Sequence, residues 1–209
     1  GMGNFLKKGS YLDLDYIYST LSDSDGEYPL DYRAILSNSA EFLTVATEAE
    51  TGRAKYFDKS YLRQDNYDIF KASSAIPFVC KPYEIGGIAY YDGALADPVP
   101  IQKAFDMGCD QVVLLLTLPL DTKRSQEQDI KLAKRIRRKY PIAADRLEQR
   151  ALRYMDDINY ARRCELTGKL LIVATDDTCG VSTLCREPEA LLRLYDKGRQ
   201  DGRRILDFL

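Results

Sequence analysis

Apolar and polar positions change period several times along this chain of 209 residues. FLTVAT (42–47) is a β-branched apolar run that reads as a strand, EAETGR supplies turn residues, and AKYFD (54–58) continues as its hairpin partner. Asn66 to Ile76 has helical spacing and stops at Pro77, where the missing N–H cannot continue a helix. YEIGGIAYYDG (83–93) reads as two short strands about a Gly86-Gly87 turn. A helix then begins at Pro98 to Pro100, with Asp97 as its expected N-cap and Ile101, Ala104 and Phe105 before the terminating Gly108. DQVVLLLTLP (110–119) is continuously apolar, the pattern of a strand buried on both faces.

Further along, Ile130, Ala133, Ile136 and Tyr140 form a thin helical stripe that Pro141 ends, and Leu147, Ala151, Tyr154, Ile158 and Ala161 keep helical spacing over a longer element. KLLIVAT (169–175) reads as another buried strand. A last helix from about Pro188 places Leu191, Leu194, Tyr195, Gly198, Ile205 and Leu209 on one face. The first thirty residues read as an irregular segment with one weak helical stretch, Leu12 to Leu21, before the turn-forming SDSDGEYP. This order of hairpin, helix, strand, helix and strand predicts α/β architecture, and the length favours one domain. VVLLLTLPL is too short to span a bilayer, and GMGNFLKKGS has no apolar stretch of the kind a signal peptide needs.

Composition changes the picture at three points. Net charge is −2, so there is no global attraction for nucleic acid, yet Lys123 to Lys139 holds eight basic residues against two acids. That basic run, KLAKRIRRKY, has two readings: a surface for anionic lipid headgroups, or a solvated helix face with Ile and Tyr turned inward. Five cysteines without a C-x-x-C pair fit reduced thiols in a cytoplasmic protein. There is no histidine, so neither a Ser-His-Asp nor a Cys-His arrangement can be assembled within the chain, and acid-base work falls to carboxylates, Lys, Tyr or Cys.

The carboxylate that stands out is Asp92, at the end of a strand and followed by Gly93 and Ala94, which let backbone approach closely. It reads either as a general base or as a turn aspartate capping its own backbone. The surrounding string, KASSAIPFVCKPYEIGGIAYYDGALADPVPIQKAFDMGCDQVVLLL, resembles the second signature block of the patatin-like phospholipases. Lys71 to Pro77 matches that family's R-A-S-S-A-x-P-like segment, Asp92 to Ala94 its D-G-[GA], and Ala96 to Pro100 its x-D-P-x-P turn. NFLKKGSYLDLDYI, EFLTVATEAETGRAKYFDK and GVSTLCREPEALLRLYDKGRQDG look like the bacterial single-domain branch.

The resemblance implies a three-layer α/β/α sandwich with a mostly parallel central sheet, in one patatin-like domain over residues 1–209. It implies hydrolysis of a lipid or other carboxylic ester through a serine acyl-enzyme, with Asp92 as the dyad aspartate and no metal or organic cofactor. A histidine-free chain suits such a dyad. The family's nucleophile lies in a G-x-S-x-G elbow and its oxyanion hole in a Gly-rich loop, and neither string occurs in these 209 residues. Ser10, Ser37, Ser39, Ser73 and Ser74 all lie outside a G-x-S-x-G frame, and the resemblance gives Ser73 and Ser74 a structural role beside the site. The expectation is therefore the C-terminal two-thirds of a patatin domain, inactive by itself. Its partners would be an ester substrate, a peripheral membrane surface and a homo-oligomer covering an exposed sheet edge, in the cytoplasm, without nucleic acid. The competing expectations are a catalytically inactive remnant that binds lipid or a partner chain, and an unrelated α/β ligand-binding domain in which D-G-A is only a turn.

Overall fold

A computed structural model describes residues 13–122, 124–182 and 185–208. Ser10, Leu12, Lys123 and Leu209 lie outside the described residues. In chain order the elements are helix α1 (Tyr32–Ser37), strands β1 (Leu43–Glu48) and β2 (Ala54–Asp58), helix α2 (Asp68–Ser73), strands β3 (Tyr83–Ile85) and β4 (Ile88–Asp92), helix α3 (Ile101–Asp106), strand β5 (Val112–Leu116), helices α4 (Gln126–Ile136) and α5 (Pro141–Leu166), strand β6 (Leu170–Ala174) and helix α6 (Pro188–Asp201). A π-helical segment, Tyr16–Leu21, precedes them, where a weak helix was expected. The chain divides into two compact units: residues 1–98 with 125–153, and residues 99–124 with 154–209.

The first unit is built on a four-stranded antiparallel sheet in the order β2-β1-β4-β3. The two hairpins fall where the pattern placed them: Leu43 pairs with Asp58 and Thr47 with Ala54, while Tyr83 pairs with Tyr90 and Ile85 with Ile88. Gly86 and Gly87 both have positive φ, at 58° and 79°, which the two-residue turn requires and which only glycine adopts without strain. One group of buried residues joins Ala46 and Phe57 of the sheet to Leu62, Tyr67, Ile69 and Ala72 around α2. A second packs Ala49, Tyr91 and Leu95 against Ala133 and Ile136 of α4, Tyr140, and Ala143, Ala144 and Leu147 of α5. Ile130 does not join it: α4 turns this residue outward, 38% exposed.

Helices α4 and α5 are also tied by charge. Asp129 is buried, and Arg150 donates to both its oxygens, Nε to Oδ2 at 3.0 Å and Nη2 to Oδ1 at 2.6 Å. Nearer the surface, Arg137 bridges Asp145 and Glu148.

In the second unit β5 and β6 form a parallel pair in register from Val112–Leu170 to Leu116–Ala174. Leu170 and Ile172 share a buried cluster with Ile101 of α3 and with Tyr154, Ile158 and Ala161 of α5. The expectation that β5 is buried on both faces is corrected here. Leu115 is 64% exposed and the other four residues are half-buried, because Leu115 and Val173 border an open groove of about 230 Å³ with Leu194 and Gly198 of α6. The stripe on α6 is corrected likewise: Tyr195 is 61% exposed, Leu191 is exposed, and of that helix only Ala190 is buried.

The architecture is thus mixed α/β, with a small antiparallel sheet and one parallel pair. Among the described residues three of the four strand pairings are antiparallel, so a mostly parallel central sheet is not what these strands form. The reason is local: tight turns join β1 to β2 and β3 to β4, and such turns permit only antiparallel neighbours, whereas β5 and β6 are separated by a long helical connection.

Replacing Asp129 with Ala leaves the Arg150 guanidinium without its buried partner. The variant is expected to lose about 3 kcal/mol in a urea unfolding titration.

Candidate active site

Asp92 ends β4 opposite Ala46, and each of its backbone groups is held. Its N–H donates to the Ala75 carbonyl at 3.0 Å, which ties the turn to the segment just beyond α2. Its carbonyl accepts from the Thr47 hydroxyl at 2.8 Å. Thr47 is fully buried on β1, and the same oxygen accepts the Ala96 N–H at 3.1 Å, so one hydroxyl closes both ends of the Asp92–Ala96 bend. Glycine at position 93 has a steric reason. A Cβ at this position would lie 2.4 Å from the Val45 carbonyl oxygen, so strand and turn pack too closely for any side chain.

The Asp92 side chain is half-buried, and its Oδ1 accepts the Ala94 N–H at 2.8 Å, capping the 3-10 turn Gly93–Leu95. This is the backbone-capping geometry that one of the two readings of Asp92 required. It also orients the carboxylate, as general-base action on a hydroxyl requires. Asp97 behaves differently from the expectation. It does not cap α3, which begins at Ile101 after Pro100 with no side-chain cap. Instead the Tyr56 hydroxyl donates to Asp97 Oδ2, fastening the D-P-x-P turn to β2, while the Asp97 N–H donates to the Gly93 carbonyl at 2.9 Å.

The K-A-S-S-A segment carries a cluster that pattern reading missed. Lys71 is buried on α2, and its ammonium meets Asp15 at 3.1 Å and Asp68 at 3.2 Å. The Tyr83 hydroxyl donates to Asp68 at 2.8 Å and lies 3.4 Å from Lys71 Nζ. Burial works to lower the pKa of Lys71, but the Asp15 carboxylate, with Tyr83 and Asp68, outweighs it and holds the ammonium above its ordinary range. One residue type out of place, a lysine on the apolar side of a short helix, was the available signal. The Ser74 hydroxyl is 3.1 Å from the Tyr18 hydroxyl of the π-helical segment. Among the described residues, no group of three His, Cys, Asp or Glu side chains could hold a metal ion.

With this geometry in place, comparisons with known proteins give the class. Residues 3–105 match the family model of patatin-like phospholipases. Residues 140–209 match a different family model, a domain of unknown function designated DUF6363. A curated relative, the uncharacterized protein YjjU of Escherichia coli (strain K12), is 30% identical over 117 residues, which is 55% of this chain. The chain spans about a third of that relative's length, 32%.

Two outcomes test the geometry of the bend. Thr47→Val keeps the shape but removes the hydroxyl, and is expected to cost about 1–3 kcal/mol in urea unfolding while Thr47→Ser recovers much of it. Tyr91, beside Asp92 and packed edge-on against Tyr140, has its phenol pushed up to about 12 by burial, from 10.0. The folded state therefore holds this proton more tightly than the unfolded chain. The resulting stabilisation, about 2 kcal/mol, is complete below about pH 10 and is lost as pH rises to about 12. Thermal unfolding across that window should fall less steeply for Tyr91→Phe than for the parent.

Proposed function

We propose that this chain supplies the acidic member of a serine–aspartate dyad in a lipid acyl hydrolase, with Asp92 accepting the proton of a serine hydroxyl that attacks a carboxylic ester. The single observation that carries this reading is the anchoring of the D-G-A turn. Asp92 is fastened through its N–H to Ala75, through its carbonyl to Thr47 and through Oδ1 to Ala94, on a patatin-like segment. With the backbone fixed at both its N–H and its carbonyl, and Oδ1 held by the Ala94 N–H, the carboxylate is pre-oriented, which is what general-base catalysis asks of the protein.

In this reading the nucleophile comes from a G-x-S-x-G segment that the 209 residues do not contain, and the antiparallel sheet is one part of a larger patatin-type three-layer sandwich. Ser74 is a poor substitute because its hydroxyl faces Tyr18 instead of a general base. The acyl-enzyme chemistry needs no metal or organic cofactor, and the protein acts in the cytoplasm.

The experiment is carried out in a polypeptide that joins this chain to a G-x-S-x-G segment of the same family. Hydrolysis of a p-nitrophenyl acyl ester should fall by about 10³-fold or more on Asp92→Asn, with thermal stability little changed. The 209-residue chain by itself should neither turn over the ester nor react with a fluorophosphonate. Undiminished hydrolysis by Asp92→Asn would remove the dyad reading, and fluorophosphonate labelling of Ser73 or Ser74 would move the nucleophile into this chain.

The second reading, a non-catalytic module that binds lipid or a partner chain, draws on the Asp92 Oδ1 contact to Ala94, which a turn without catalytic duty would also make.

A further inference from the structure

The basic run singled out in the sequence takes a definite place in the first unit. At 100° per residue, Ile130, Lys131, Lys134 and Arg135 fall on one side of α4, opposite the buried Asp129, Ala133 and Ile136. Lys131, Lys134, Arg135, Arg138 and Lys139 are all exposed. Of the carboxylates nearby, Asp129 is engaged by Arg150, and Asp145 and Glu148 by Arg137, while Glu127 stands exposed in the first turn of α4. No ion pair joins the five exposed cations to a carboxylate among the described residues. The face is therefore strongly basic, five exposed cations against Glu127, on a chain whose net charge is −2.

Its border is apolar and leads to Asp92. The Arg135 guanidinium lies 4.1 Å over the Phe78 ring. Phe78 has φ of 71°, an outlying conformation for an aromatic residue, in a loop where Ile76, Phe78 and Val79 are all half-buried and Lys81 is exposed. That loop starts at Ala75, whose carbonyl holds the Asp92 N–H. The Arg135–Phe78 contact links the exposed cations to this partly buried loop, and the Ala75–Asp92 hydrogen bond links the loop to the D-G-A turn.

We propose that the outer face of α4, with the Phe78–Val79 loop, is a docking surface for an anionic lipid bilayer. Cations settle among headgroups while Phe78 and Val79 enter the interfacial layer, and the Asp92 turn is brought next to the membrane. The apolar loop favours a bilayer over nucleic acid, because a phosphate backbone offers the cations partners but gives Val79 and Ile130 none. The surface deepens the lipid-ester reading and rests on it only for what the docked protein acts upon.

The test is co-sedimentation of the 209-residue chain with vesicles of phosphatidylcholine and phosphatidylglycerol in equal parts, against vesicles of phosphatidylcholine alone. Binding to the anionic vesicles is expected, with release as NaCl rises from about 0.05 to 0.5 M and the screening length shrinks. Each cation near an anionic surface is worth about five-fold, so replacing Lys131, Lys134 and Arg138 together with Gln should weaken binding by about 100-fold. All three side chains are exposed, so folding should be unaffected, and a thermal melt checks this. The chain has no tryptophan, so Phe78→Trp is a single reporter whose emission should move to shorter wavelength on the anionic vesicles. Asp92→Asn should sediment like the parent, which separates failure of this surface from failure of the dyad. Equal sedimentation with both vesicle types, an unaltered triple variant, unshifted emission, or tighter binding to a single-stranded oligonucleotide than to the vesicles would overturn the proposal.

Discussion

The close approach of β1 to the turn that follows β4 is the constraint on which the candidate site depends. Val45 presents its carbonyl where a Cβ of residue 93 would lie, and two residues on, Thr47 sends its hydroxyl into the same bend. Backbone and hydroxyl together replace the packing that a side chain would otherwise give. A bend of five residues with Gly93 and Leu95 buried takes several polar groups away from water, and each needs a partner. The Thr47 oxygen meets two of these needs and the Ala75 carbonyl a third. Asp92 is thereby held through Thr47, Ala75 and Ala94.

Around this bend the first unit is organised by charge as well as by apolar contact. Lys71 gathers the segment before the π-helical turn, α2 and β3 at one ammonium, and Asp129 with Arg150 does the same for α4 and α5. Both are pairs in which at least one partner is buried, where losing the other leaves a stranded charge. They define where helices sit on the sheet more narrowly than Ala72, Ala133 or Ala143 can, since small side chains permit sliding. The exposed cations of α4 are the opposite case. Asp129, Asp145 and Glu148 are taken by Arg150 and Arg137, and the outer face carries an excess of cations.

Fold and site were legible to different depths. Both hairpins, the Gly86-Gly87 turn, the start of α6 at Pro188 and the strand at 170–174 could be read from period and turn residues, because each depends on neighbours within a few positions. The D-G-A turn could be found for the same reason, its residues being contiguous. Misreadings came where burial decides. Apolar runs predicted inward faces for Leu115, Ile130 and Tyr195, yet all three point to solvent, because hydrophobic composition does not say which elements arrive to cover a strand or helix. Asp97 looked like a helix cap from its place before Pro98, but Tyr56, 41 positions away, claims its carboxylate.

By itself, then, the chain determined its local elements, the kinds of chemistry open to a polypeptide without histidine, and the string around Asp92 that resembles the patatin-like family. Tertiary structure alone decided which strands pair, that Thr47 serves Asp92, that Lys71 is buried among Asp15, Asp68 and Tyr83, and that the cations of α4 border the Phe78 loop. The physical reason is range. Backbone propensity and turn geometry act over a few residues, whereas hydrogen bonds and ion pairs between residues 45 or 56 positions apart exist only once the chain has closed.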